Sequence, residues 1–158
     1  GPMLPEELMQ LAIDVAHQGL KKGQSPFGCA IAQDGKVLAV EHNTVAATKD
    51  ITAHGEVNAL RAACSEVEHF HLHGGVVATT CEPCPMCMAA LHWARVDTVY
   101  FGASIDDASR AGFNELRLPA IDLLSRGGSE VKLVGYVLQA ECVQLFEHWL
   151  SNPDRTAY

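Results

Sequence analysis

Two thiols, an imidazole and a carboxylate carry the chemistry open to this chain. Cys84 and Cys87 stand three residues apart in Cys81-Glu82-Pro83-Cys84-Pro85-Met86-Cys87. The β-branched, apolar run Val76-Val77-Ala78-Thr79-Thr80 precedes them, and Pro85 fits the first position of a helix continuing through Met88, Ala89, Leu91 and Trp93. At such a strand-to-helix turn the pair shares one face, and the positive end of the helix favours the thiolate forms that bind metal. The third donor is His54 in Thr52-Ala53-His54-Gly55-Glu56, again at the start of a predicted helix. One imidazole and two thiolates leave one position of a zinc tetrahedron for a reactant, the layout of a catalytic centre. Such a zinc lowers the pKa of a bound water to about 7. Glu56, two residues past a ligand, is then the general acid/base that moves the proton of that water to a ring nitrogen and on to a departing amine. Two plainer readings stand beside this one: a redox dithiol, or a structural zinc completed by Cys81 and a histidine. Neither gives Glu56 a role.

These residues need a scaffold, and the remaining patterning supplies one. Pro5 opens a helix with Leu8, Leu11, Ala12 and Val15 on one face and Gly23 as its stop. Phe27 to Ala32 and Lys36 to Val40 flank Asp34-Gly35, the turn of a two-residue β-hairpin. Val57, Leu60, Cys64 and Val67 mark a second helix that buries Cys64. Thr98 to Phe101 reads as a strand, Ser104 to Asp107 as the capping box of a short helix ending near Gly112, and residues 113–130 as irregular. Val131 to Leu138 reads as a fifth strand, and Glu141 to Leu150 as a final helix buried through Cys142, Leu145, Phe146 and Trp149. Helices interleaved with strands predict an α/β sandwich, and residues 4–158 a single domain, with Gly1-Pro2 as a tag scar.

Composition narrows the partners. The 158 residues carry a formal charge of −8, which opposes binding to a polyanion and suits a small substrate. Six cysteines without an export signal are expected to be reduced, and Cys29, Cys64 and Cys142 to be buried small hydrophobes. With no apolar run of membrane-spanning length, the expected setting is cytoplasmic. His17, His42, His69, His71, His73, His92 and His148 are read as surface or core, with His69-x-His71-x-His73 open to adventitious metal.

The His54-Gly55-Glu56 and Pro83-Cys84-Pro85-Met86-Cys87 segments together resemble the cytidine deaminase superfamily. Pro26-Phe27-Gly28 and Glu41-His42-Asn43 resemble its single-domain base-deaminase branch. Trp93-Ala94-Arg95, Ala111-Gly112-Phe113-Asn114-Glu115 and the terminal Tyr158 are similar to the bacterial guanine deaminases. The resemblance implies a three-layer α/β/α sandwich around a central five-stranded mixed sheet. It implies one Zn2+ per chain on His54, Cys84 and Cys87, with Glu56 as proton shuttle. It also implies Asn43 hydrogen-bonded to the base, Ala53, Phe27 and Trp93 lining the pocket, Glu115 as a second acidic group on a purine, and a homodimer whose exchanged tails bring Tyr158 over the partner site. This chain departs from the family's usual residues at Gly55, where alanine is more common, and at Asn114-Glu115, where two aspartates are usual. On the residues alone, Asn43 could equally stabilise a turn, Phe27 and Trp93 could be core, Glu115 could be a solvated loop residue and the tail a frayed terminus.

The expected activity is therefore zinc-dependent deamination of a free nucleobase, foremost guanine. Cytosine or another amino-heterocycle (a pterin, a triazine, a nucleoside) is the alternative. Adenosine in tRNA is disfavoured by the absence of a basic stripe, and a structural-zinc binding module is the non-enzyme alternative.

Overall fold

The structure, a computed structural model, describes residues 3–158; Gly1-Pro2 and the reading of them as a scar lie outside it. Five strands form one mixed sheet in the order β2-β1-β3-β4-β5: β1 (Gly28–Gln33), β2 (Lys36–His42), β3 (Val76–Cys81), β4 (Thr98–Ala103) and β5 (Lys132–Val134). β1 runs antiparallel to both β2 and β3, while β3, β4 and β5 are parallel. Asp34 and Gly35, both at positive φ, make the expected hairpin turn.

Helices cover both faces, and strand alternation decides which side chain goes where. Cys29, Ile31, Val77 and Val99 point to one core, with Ala59 and Ala63 of α3 (Gly55–Val67), Met88 and Leu91 of α4 (Pro85–Trp93) and Leu124 of α6 (Ala120–Gly127). Ala30, Ala32 and Ala78 point to the other, with Leu8, Met9 and Ala12 of α1 (Pro5–Lys21) and Phe146 and Trp149 of α7 (Gln139–Leu150). Two short helices, α2 (Val45–Thr48) and α5 (Ile105–Arg110), sit at the strand ends. The small alanines of β1 and β3 let α1 lie close, and Gly28 is the extreme case: a Cβ there would stand 2.1 Å from the carbonyl oxygen of Ala12. This is the three-layer α/β/α sandwich expected. No described helix is long and apolar enough to cross a membrane.

The differences from expectation are local. Residues 113–130 contain α6, whose buried side follows Ala120, Leu123 and Leu124 and which ends at Gly128 in the left-handed region. The strand expected from Val131 to Leu138 stops at Val134, because Gly135 packs against the Phe101 ring and Tyr136 and Leu138 take positive φ. Cys29 and Cys142 are buried as expected, whereas Cys64 is only partly so.

Candidate active site

Two helix N-termini converge on one point. His54 is the N-cap of α3 and Cys84 the N-cap of α4, yet neither side chain bonds its own helix as a capping Ser or Asp would. Both turn instead toward each other, and Cys87, one turn into α4, joins them. His54 Nδ1 lies 3.7 Å from Cys84 Sγ and 3.5 Å from Cys87 Sγ, and all three donor atoms fall within 4.8 Å of one another. A tetrahedral zinc with ordinary Zn–N and Zn–S lengths separates its nitrogen and sulfur ligands by about 3.6 Å, so the donor set fits that ion.

The loop before α3 is held from several sides. Asp50 accepts hydrogen bonds from the backbone N–H and the hydroxyl of Thr52, and the Asn58 amide donates to the carbonyls of His42 and Ala53 and to Thr44 Oγ1. Those bonds also fix Asn43, which is fully buried. Its side-chain oxygen accepts from the Val45 N–H, and its amide donates to the Tyr158 hydroxyl at 2.6 Å. The turn-forming and cavity-facing readings of Asn43 therefore both hold in one side chain.

Charge is tuned by burial. Glu56, only 7% exposed, is pushed up to about 7 by burial, to which the charge of Cys84 adds and which His54 opposes. Cys84 is drawn down to about 4, first by its hydrogen bond with Cys87 and then by His54, against its own burial. The same contact, with burial, holds Cys87 up, so Cys84 is the first thiolate of the pair. Burial pulls His54 down, but the hydrogen bond to Cys84 and the charge of Glu56 outweigh it and the net shift is upward. Burial, then the charge of Cys84, raises Glu115.

These groups border a small cavity lined by Phe27, Asn43, His54, Glu56, Thr79, Cys81, Glu82, Cys84, Glu115 and Tyr158. Of the residues expected on it, Phe27, Asn43, Glu56, Glu115 and Tyr158 are present. Trp93 is a correction: six residues past Cys87 it lies on another side of α4, 69% exposed, with the Arg95 guanidinium 5.6 Å from its ring. Ala53 is a second: it is buried beside the cavity, with its N–H bonded to Asp50 and its carbonyl accepting from Thr44. Within the single chain the tail lies over the cavity, with the Tyr158 ring near His54 and Phe113. Thr79, Cys81 and Glu82 were missed. Thr79 and Cys81 alternate along the strand that leads into the metal motif, and that alternation was the available signal.

Residues 3–103 match the family described as the cytidine and deoxycytidylate deaminase zinc-binding region. The chain is 40% identical to a guanine deaminase of Bacillus subtilis (strain 168) over 70% of its own length and 71% of that protein's. It is 36% identical to a tRNA-specific adenosine deaminase of Aquifex aeolicus (strain VF5), over 62% of this chain and 65% of that one. A solved structure of the guanine deaminase from Nitrosomonas europaea superposes with a TM-score of 0.86 over 96% of this chain and 88% of that one; at 20% identity the likeness is of fold. The chain thus belongs to the cytidine and deoxycytidylate deaminase family. It is a zinc-dependent aminohydrolase, with His54, Cys84 and Cys87 grouped as a zinc site.

Proposed function

We propose that this enzyme deaminates free guanine, exchanging the ring amine for oxygen to give xanthine and ammonia. The observation that carries the reading is Glu115: a second carboxylate besides Glu56 borders the cavity, facing a space the tail closes to polymers. Zinc held by His54, Cys84 and Cys87 supplies the Lewis acidity that makes water nucleophilic at neutral pH. Glu56, poised near neutrality, takes one proton from the attacking water and passes it to the ring nitrogen beside the carbon attacked, then takes the second from the hydroxyl of the resulting adduct and passes it to the amine as the C–N bond breaks and the C=O forms. The Asn43 amide, held through its oxygen by Val45, donates to the base where it now donates to Tyr158. Phe27, kept edge-on to Phe113 and Phe146, supplies an apolar wall for the ring. Glu115 accepts from ring or amino N–H groups that cytosine does not present in the same place.

Residues 4–158 form one catalytic domain in this reading. It works in the cytoplasm on a small substrate, as a homodimer that covers the exposed Met86 and Trp93 of α4. Adenosine in tRNA is the second reading, favoured by the tRNA-specific relative; the formal charge of −8 and the tail over the cavity argue against it. An ammonia-release panel of guanine, cytosine, adenine, guanosine, cytidine and a tRNA anticodon stem-loop tests the choice. Guanine is expected to turn over, and Glu115→Gln to lower that turnover. An inert guanine beside active cytosine or stem-loop would reject the purine-base reading.

A further inference from the structure

Glu82 lies between the metal motif and the loop that carries Glu115, and both of its carboxylate oxygens are engaged. One accepts the N–H of Ile105 at 3.2 Å, the other the N–H of Ala120 at 2.9 Å. Ile105 opens α5 and Ala120 opens α6, so a single carboxylate ties the first residues of the two helices that bracket the 111–119 loop. Its own backbone is fixed independently: the Glu82 N–H donates to the Ala103 carbonyl at 2.8 Å, and Cys84 follows two residues later. No strand or helix crosses residues 112–119. The start of the loop is anchored by Phe113, buried against Phe27, Phe146, Trp149 and Tyr158, while the bond from Ala120 to Glu82 ties down its far end, beyond Glu115.

We propose that Glu82 is a positioning residue for substrate recognition: it locks the Glu115 loop to the zinc-binding turn, so that the second carboxylate keeps a set distance from the reaction centre. The chemistry requires a carboxylate there. Two converging N–H donors need two acceptors, which Glu provides and Gln does not, because its amide would turn a donor against one of them. Negative charge at two helix N-termini strengthens both bonds. Aspartate, one methylene shorter, cannot span the same pair. Glu82 touches the cavity wall, yet with both oxygens occupied it acts through Glu115.

The inference rests on the reading that Glu115 contacts the substrate, and its test uses whichever base of the panel turns over. Glu82→Gln, Glu115→Gln and the double variant are compared for zinc content, kcat, KM and backbone hydrogen exchange across residues 104–122. Glu82→Gln should keep about one zinc per chain, raise KM roughly tenfold with a smaller change in kcat, and speed exchange of the 111–120 amides. In the Glu115→Gln background the same change should cost almost nothing further, because the residue it positions is already disabled. Glu82→Asp should not rescue KM. An unchanged KM and exchange in Glu82→Gln overturns the inference, as does full additivity of the two variants, or loss of zinc, which would make Glu82 a support of the metal turn instead. An inert guanine with another base active rejects the guanine reading alone, since the coupling is then measured on that other base.

Discussion

The two walls of the cavity are built differently. The metal wall stands on helix starts: His54 caps α3, Cys84 caps α4, and Cys87 and Glu56 follow within the first turn. Its geometry is set by local sequence, because residues at i and i+3 on a helix share a face wherever the helix goes. The recognition wall is made of a loop and a tail placed by contacts with distant parts of the chain: Glu82 to Ala120, Asn43 to Tyr158, and Phe113 packed on Trp149 and Tyr158. The family match ends at residue 103, where the first wall ends, and Glu115 and Tyr158 both lie beyond it. In the proposed reading, the metal site lies wholly within the matched stretch, whereas recognition draws on Asn43 and Phe27 inside it and on Glu115 and Tyr158 beyond it.

Breaking the metal wall should give the largest effect. Cys87→Ala is expected to lose both zinc and turnover, whereas Glu56→Ala keeps the zinc and loses about 10²–10⁴-fold in kcat. Metal analysis beside steady-state kinetics checks this. Zinc retained in the first variant, or lost from the second, would mean that metal binding and proton transfer are not divided as described.

Breaking the recognition wall should leave the metal alone. Removing Arg155 to Tyr158 deletes the hydroxyl on Asn43 and the ring over His54, and should lower kcat/KM for a free base on the order of 10²-fold while zinc content and melting temperature stay unchanged. Equal kinetics for the truncated enzyme would confine recognition to Glu115 and its loop.

The same division explains what could be read in advance. His54, Glu56, Cys84 and Cys87 were legible because their spacing and their position at helix starts are local facts. The central strands were legible as short apolar and β-branched runs, which the structure buries on both faces, and β1–β2 through the Asp34-Gly35 turn. Trp93 was not, since its apolar side chain on an apolar helix carries no mark of which side faces neighbours, and the structure leaves it outside. Glu82 gave no signal because its partners, Ile105 and Ala120, are 23 and 38 residues away. The helix α6 did have a signal, apolar positions at 120, 123 and 124, but Pro119 and the Gly127-Gly128 pair read as loop.

A weaker perturbation tests whether the recognition wall is also the looser one. His17 of α1 and His148 of α7 meet with their Nδ1 atoms 3.2 Å apart, at the helix that leads into the tail. Burial, then His148 and Lys21, lower His17 below the ordinary histidine value, while Asp14 opposes them. The folded state therefore holds fewer protons than the unfolded chain, so this contribution to stability is complete above about pH 6.5 and declines as pH falls through that value toward the lowered one. Melting temperature followed across that window should drop slightly in the wild type and less in His17→Gln. A steeper drop in the variant would reverse the assignment.

The smallest effect sharpens the comparison inside the metal wall itself, where two glycines lie close together with opposite demands. At Gly28 a side chain would strike the backbone of α1, so Gly28→Ala must force β1 away from it. Gly55, between His54 and Glu56, has no positive φ, and a Cβ there would meet the Glu41 carbonyl at 3.5 Å and backbone atoms of Gly28 and Cys29 at 3.6 Å, which is ordinary contact. Neither space nor backbone conformation requires glycine at that position. Gly55→Ala should then stabilise the fold by about 0.4–1 kcal/mol, chiefly by restricting the unfolded chain, which for a domain of this size is a rise of roughly 1–4 °C in melting temperature. Zinc content and kcat should not move, because the side chains of His54 and Glu56 leave the helix start on either side of the new methyl. Calorimetry with metal analysis decides it: a lower melting temperature or a loss of zinc would show that the start of α3 must flex to admit the metal or the substrate, and the metal wall would no longer be the rigid one.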